Sequence, residues 1–256
     1  GQCPGAVYNN IIAFNEAPDG AGLHGGAANT YNAFYSNAGG NFGGGAASGP
    51  GDMAIDPKFA SNGHWETGET STDDDDSWVD GDYHLRSQAG RWDADNRQWA
   101  TDSDTSRCID AGDPASIWAA ELWPHGARIN LGAYGGTPQA SMSQSDSGLP
   151  ADTDHDEKVG PQDLMTFCSD WQTAEAPVAS DLDREGTVDF NDFVFFAMEW
   201  RTGAAAQTPP IPNPMTFAVT PTATGPYSIA MIATTATSTD GTDVEYYFED
   251  YYAPQY

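Results

Sequence analysis

The chain has 256 residues, with 9 Lys and Arg against 38 Asp and Glu and a formal net charge of −29. This charge argues against nucleic-acid binding, which needs a basic face, and no apolar run approaches the roughly 20 residues that span a bilayer. The 28 Gly, 17 Pro and 12% aromatic residues predict short strands and tight turns rather than disorder.

Residues 1–60 contain a short repeat. The run from Asn10 to Asn15 is echoed 22 positions later by the run from Asn32 to Asn37, and Gly-rich sequence follows each one. A period of 20–25 residues with Asn at the corners is typical of a stacked coil, because amides at equivalent corners form a ladder and Gly adopts positive φ. The alternative is a Gly-rich loop region with chance similarity.

Four motifs follow in chain order: DYHL at 82–85, RW at 91–92, CIDAGDP at 108–114 and RINLGAYGG at 128–136. Together they resemble the C-terminal closing region of right-handed parallel β-helix proteins of the planctomycete type. The resemblance implies a pectate-lyase-like coil over residues 1–140. Members of that group include polysaccharide lyases and glycosidases, and also surface proteins without shown activity.

Two acidic loops lie between a polar linker at 141–151 and a Pro-rich linker at 202–214. Residues 152–163 and 181–192 both place acids at positions 1, 3, 5 and 12 and an apolar residue at position 8. Carboxylates at alternate positions point inward as such a loop turns, which is how oxygen ligands surround Ca²⁺. The alternative is a pair of acidic loops followed by core helices.

An amphipathic helix is predicted after each loop, and the two halves are related by a constant offset of 29 residues. Loop followed by helix, twice, resembles a type I dockerin module over residues 152–201. The resemblance implies two Ca²⁺ sites. The first set of ligands comprises Asp152, Asp154, Asp156, Asp163 and the Lys158 carbonyl, and the second comprises Asp181, Asp183, Glu185, Asp192 and the Thr187 carbonyl.

Three positions depart from that pattern. Position 6 of the first loop is Glu157 instead of Gly, which predicts a strained turn. Position 5 of the second loop is the longer Glu185. Positions 10 and 11, commonly Ser-Thr where dockerins recognise cohesin, are Pro-Gln and Phe-Asn, so we do not expect cohesin as the partner.

Residues 215–256 alternate as strands do, with candidate strands beginning at Phe217, Ser228 and Val244. The series resembles the first three strands of a fibronectin type III or immunoglobulin-like sandwich. Such a sandwich needs about 100 residues, so we expect a truncated module. The predicted fold class is therefore mainly β: a parallel β-helix end, a small helical two-loop module and a partial sandwich.

The cysteines Cys3, Cys108 and Cys168 fit no metal-ligand spacing. A bridge between Cys3 and Cys108 is one alternative, and buried thiols are the favoured one. No catalytic motif is present. Glycoside hydrolysis needs a pair of carboxylates, and the sequence does not identify one. The weak candidates are Asp52, Asp56, Asp110 and Asp113, of which the last two are expected to cap a Gly turn.

These observations predict a secreted or cell-surface multidomain protein with calcium-binding repeats and an adhesive, architectural or polysaccharide-associated role. The chain begins without a visible signal peptide, so we expect that one was removed or that residue 1 lies inside a longer protein. One alternative is a fragment of a polysaccharide lyase or glycoside hydrolase, and we expect no activity from this chain alone. Another is a calcium-dependent self-assembling scaffold. The expected partners are a polysaccharide or a surface protein.

Overall fold

The structure is a computed structural model that describes residues 5–26, 28–68, 75–145, 148–174, 177–203, 216–225 and 228–237. The chain divides into two compact units, residues 1–203 and 204–256. The described residues are mainly β, with several small sheets and two helices. None of these helices is long and apolar enough to cross a membrane.

Short parallel strands form the first part of the larger unit. They are β1 (Val7–Tyr8), β2 (Ile11–Ala13), β3 (Leu23–His24), β4 (Asn29–Thr30), β5 (Ala33–Tyr35), β6 (Phe42–Gly43) and β7 (Met53–Ala54). The pairs β1–β4, β2–β5, β5–β7 and β3–β6 are all parallel, and Ile11 lies opposite Ala33. The chain therefore returns to the same place about every 20 residues, in agreement with the offset of the sequence repeat.

Asparagine side chains connect successive turns of this region. The Oδ1 of Asn32 accepts from both the backbone N and the Nδ2 of Asn10, each at 3.1 Å. The Oδ1 of Asn37 accepts from the same two groups of Asn15, at 3.2 and 2.9 Å. These amides satisfy backbone groups at the corners, where strand hydrogen bonds end.

Antiparallel hairpins follow the parallel strands, and they correct the expectation of a parallel coil through residue 140. β8 (His64–Glu66) pairs with β9 (Ser77–Val79), and β10 (Arg91–Asp93) pairs with β11 (Gln98–Ala100). Each hairpin places two Trp residues opposite one another. Cross-strand aromatic pairs stabilise such short strands, which turn the chain back on itself.

The segment from residue 108 to 136 consists of turns that pack back on the first strands. The N–H of Gly132 donates to the carbonyl of Asn9 at 2.9 Å, and that of Leu131 donates to Cys108 at 2.9 Å. Its apolar side chains share a buried core with those of the parallel strands. The members of this core are Ala33, Leu85, Cys108, Ile109 and Leu131.

Helices α1 (Pro161–Asp170) and α2 (Phe190–Glu199) follow the two acidic loops, as predicted. Their second core contains Val159 and Val188, the position 8 residues, together with Phe167 and Phe196. Val159 exchanges backbone hydrogen bonds with residues 201–202, after α2, and Val188 does so with residues 172–173, after α1. Each loop is thus tied to the helix of the other half.

The smaller unit contains the antiparallel pair β12 (Phe217–Gly225) and β13 (Ser228–Ala233). The third predicted strand, which begins at Val244, lies outside the described residues. Cys108 is buried with a free thiol, whereas Cys168 is exposed, contrary to the expectation that the thiols are buried. Cys3, the suggested partner of Cys108, lies outside the described residues.

Candidate metal centre

The first loop gathers three of its predicted ligands. Carboxylate oxygens of Asp152, Asp154 and Asp156 lie within 4.8 Å of one another, so this cluster could hold a metal ion. Backbone N–H groups orient the acids: Glu157 donates to Oδ2 of Asp152 at 2.9 Å. Asp163 is buried at the start of α1, where its Oδ1 accepts from the backbone of residues 153 and 154 and its Oδ2 from that of residue 160. Asp163 therefore closes the loop.

The second loop gathers Asp181, Asp183 and Asp192, again within 4.8 Å. Asp192 repeats the role of Asp163, because its Oδ1 accepts from the backbone of Leu182 at 2.6 Å and that of Asp183 at 3.0 Å. Asp181 is 3% exposed. Its Oδ2 accepts from Gly186, but its buried Oδ1 has no hydrogen-bond partner among the described residues. A buried carboxylate oxygen without a protein donor is costly unless a cation, a proton or a water satisfies it, so this atom is a candidate cation ligand.

Both loops need left-handed backbone at the same positions. Position 4 has a φ of 61° at His155 and 64° at Arg184, and position 6 has a φ of 68° at Glu157 and 95° at Gly186. Positive φ turns the chain sharply enough to bring alternate carboxylates together. It is strained for a residue with a Cβ, so the predicted strain at Glu157 coincides with an observed left-handed conformation.

Burial and like charge both disfavour the ionised acids without a cation. Burial raises the pKa of Asp152 and of Asp181. The carboxylates of Asp163 and Asp192 act in the same direction, whereas the Arg184 guanidinium opposes the rise at Asp181. The pKa of Glu185 is raised chiefly by the charges of Asp183 and Asp189. A divalent cation would remove this repulsion.

The structure does not gather every predicted ligand. Glu185 is exposed and lies outside the second three-acid cluster. The carbonyls of Lys158 and Thr187 remain ligands on the sequence pattern alone. Conversely, the sequence analysis missed the side chains of His155 and Arg184. They extend from the loops and contact backbone carbonyls in the segment of turns at residues 108–136. Their position 4 carries no ligand, so the loop pattern did not draw attention to them.

The carboxylates of the four weak catalytic candidates accept hydrogen bonds from backbone N–H groups. Asp52 accepts from the backbone N of Asn32 at 2.9 Å and of Gly49 at 2.7 Å, and Asp56 accepts from Lys58 at 2.8 Å. Asp110 accepts from Gly126 at 3.0 Å and Asp113 from Ala115 at 2.9 Å. Asp56 and Asp113 accept from residues two positions later and therefore cap local turns. Asp110 instead contacts a segment 16 residues away along the chain.

An aromatic groove of about 390 Å³ lies beside the parallel strands. Its walls include the rings of Phe14, Phe59, Trp78 and Tyr83 and the amide of Asn15. Phe14 is 47% exposed and Trp78 is 46% exposed. The Nε1 of Trp78 donates to Asp80 at 2.8 Å, which orients its ring. The groove therefore offers flat apolar faces with polar groups at their edges.

Helices α1 and α2 carry a set of exposed apolar side chains. They are Met165, Phe190, Phe193, Val194, Phe195 and Met198, and the exposed Trp200 lies directly after α2. Phe190 and Phe193 line an apolar groove together with Leu164 and Phe167. Exposed apolar patches are typical of contacts with a partner.

A family model described as disaggregatase related matches residues 6–112. The matched segment contains the parallel strands, both Trp hairpins and most of the groove, and it ends before the acidic loops. No curated protein and no solved structure matches the chain.

Proposed function

We propose that residues 152–201 form a dockerin-like module that binds two Ca²⁺ ions. The carrying observation is the pair of three-acid clusters, at positions 1, 3 and 5 of the first loop and at positions 1, 3 and 12 of the second. The second cluster holds the buried Oδ1 of Asp181, which has no hydrogen-bond partner among the described residues. The residues fit Ca²⁺ because the clusters supply several carboxylate oxygens and neither nitrogen nor sulfur. Such hard, flexible oxygen sets suit Ca²⁺, whereas Mg²⁺ demands nearer octahedral geometry.

We propose that the loop module follows the end of a parallel β-helix. The parallel pairs at offsets of about 20 residues and the Asn ladder support a parallel β-helix end in the first part of the chain. Calcium loops on such a scaffold support a secreted or cell-surface protein with an adhesive or architectural role. The family match over residues 6–112 covers the parallel strands and the two hairpins and does not extend to the loop module.

Isothermal calorimetry of the full chain with CaCl₂ tests the calcium sites. We expect two ions per chain, and one per chain in Asp152→Asn or Asp181→Asn, because each change removes a ligand charge from one loop at constant shape. Asp113→Asn is the matched control, since this acid caps a turn distant in sequence from both loops. Absence of calcium binding, or two ions in both loop variants, would contradict the proposal.

A second candidate function is carbohydrate binding at the aromatic groove. Pyranose rings pack their C–H faces on exposed aromatic rings while their hydroxyls hydrogen-bond at the edges, and the groove combines the rings of Phe14 and Trp78 with the amide of Asn15. The four candidate acids accept hydrogen bonds from backbone N–H groups, which favours the polysaccharide-associated role over cleavage at these acids.

Affinity electrophoresis against neutral and acidic polysaccharides tests this second function. Trp78→Ala is expected to abolish retardation, whereas Trp65→Ala retains it. Both changes remove the same edge-to-face pair at 5.4 Å, but only Trp78 lines the groove. Equal retardation of the two variants excludes the groove as the site. Release of reducing sugars by the wild-type chain would favour the enzyme alternative.

A further inference from the structure

Two loop side chains that are not predicted ligands connect the acidic loops to the segment of turns at residues 108–136 of the same unit. The Nε2 of His155 lies 2.9 Å from the carbonyl of Ala119, and the Nη2 of Arg184 donates to the carbonyl of Trp123. Both residues occupy position 4 of their loops. Both acceptors belong to one turn, residues 118–125, which we call the docking turn.

Packing supports these two contacts. The ring of His155 lies 4.9 Å from the ring of Trp118 and 4.9 Å from that of His125, the latter edge to face. The guanidinium carbon of Arg184 lies 5.8 Å from the ring centroid of Trp99, on β11. Cation–π contacts of this type strengthen when the cation loses water, and the Nη1 of Arg184 is fully enclosed. The junction is therefore a packed interface.

The conformation of each loop determines where these side chains point. His155 stands between Asp154 and Asp156, and Arg184 stands between Asp183 and Glu185, with φ values of 61° and 64°. A loop wrapped around a cation fixes these two residues in the left-handed conformation. A loop opened by repulsion between its carboxylates releases them.

We infer that calcium binding is coupled to docking of the loop module on the docking turn, through the contacts that His155 and Arg184 make with that turn. The inference rests on the proposed calcium function and extends it to regulation of the junction. Coupling is reciprocal, so calcium strengthens docking and docking raises calcium affinity. The docking turn contributes no calcium ligand, but its residues thereby influence the calcium affinity of the loops.

Hydrogen exchange of the full chain in calcium and in chelator tests the first half of the coupling. We expect chelation to speed exchange within both loops and also within the docking turn, residues 118–125. Residues 31–35, in the parallel strands, serve as the internal reference and should not change. Faster exchange in the loops with unchanged exchange in the docking turn overturns the coupling but leaves the calcium sites intact. Unchanged exchange in the loops overturns both.

Calcium affinity of two neighbouring variants tests the reciprocal half. Trp118→Ala removes the ring that packs on His155, whereas Ile117→Ala changes a side chain that is 85% exposed. Neither residue is near a predicted ligand in sequence. Typical coupling energies correspond to roughly 5- to 150-fold, so we expect at least about fivefold weaker calcium binding in Trp118→Ala. Equal affinities of the two variants would overturn the inference.

Discussion

Glu157 holds a conformation that a side chain disfavours. Its φ of 68° lies where the second loop has Gly186. Because left-handed backbone costs a residue with a Cβ about 1–2 kcal/mol, Glu157→Gly should raise the free energy of unfolding by about 1 kcal/mol after the entropic cost of Gly. Chemical denaturation at saturating calcium measures the change. Glu157→Ala is the control, since it removes the same charge but keeps the Cβ, and equal stability of the two variants would refute strain as the cause.

Glu121 makes stability depend on pH. Burial raises its pKa to about 7, although the N–H groups of Asn130 and Gly136 donate to its Oε1. The folded pKa exceeds the unfolded one, so the native state binds more protons between pH 4.5 and 7. The Glu121 contribution to stability is therefore complete below about pH 4.5 and falls by on the order of 3 kcal/mol as the pH rises through 7.

Comparison with Glu121→Gln isolates this contribution from those of the other acids. The two proteins should be similarly stable at low pH, and the variant should become relatively more stable as the pH approaches 8. Urea denaturation across the pH range at constant saturating calcium gives the difference curve. A difference that does not change with pH would contradict a raised pKa of Glu121.

At the scale of elements, the amide ladder is expected to stabilise the parallel strands. Asn32 is fully buried, and its Nδ2 donates to Val7, Thr30 and Asp52, each at 3.0 Å. Asn32→Ala removes these three hydrogen bonds at a buried position and should lower the free energy of unfolding by about 2–4 kcal/mol. Asn37→Ala removes an equivalent but less buried amide and should cost about 1 kcal/mol. Guanidinium denaturation followed by Trp fluorescence ranks the two, and equal losses would show that burial does not set the contribution.

The acidic loops and their helices were predictable from the sequence because both signals are local. Acids at alternate positions and apolar residues at helical spacing need no distant partner, and helices α1 and α2 appear where the pattern places them. The Asn repeat was also predictable, since equivalent corners recur at a fixed offset. How far the parallel strands extend along the chain was not predictable from the sequence. The motifs after residue 80 resemble those of a parallel coil, but the chain there forms antiparallel strands and turns.

The hairpins and the junction escaped prediction for a different reason. Strands of three residues, such as β8 and β10, are too short for a periodic pattern, and the Trp pairs become apparent only once the register is known. His155 and Arg184 bind backbone carbonyls 36 and 61 residues away. Any residue can present a carbonyl, so its side chain gives no sign of the contact.

For the molecule as a whole, the acid excess leads us to expect that the loop module depends on a cation. The net charge is −29, and seven Asp carboxylates at loop positions 1, 3, 5 and 12 crowd into two short loops together with Glu185. Repulsion among them opposes folding of a module that has a small core. In the proposed function, bound calcium would offset this repulsion, and His155 and Arg184 would transmit the effect to the docking turn.

The most direct test is thermal unfolding of the full chain in calcium, magnesium and chelator, followed by near-UV circular dichroism. A ligand that binds only the folded state adds about 2.7 kcal/mol per site at 100 times its dissociation constant. We therefore expect a higher Tm in calcium than in chelator, with little effect of magnesium. Asp152→Asn with Asp181→Asn should give one and the same curve under all three conditions. Identical unfolding curves for the wild-type chain in calcium and in chelator would contradict the account.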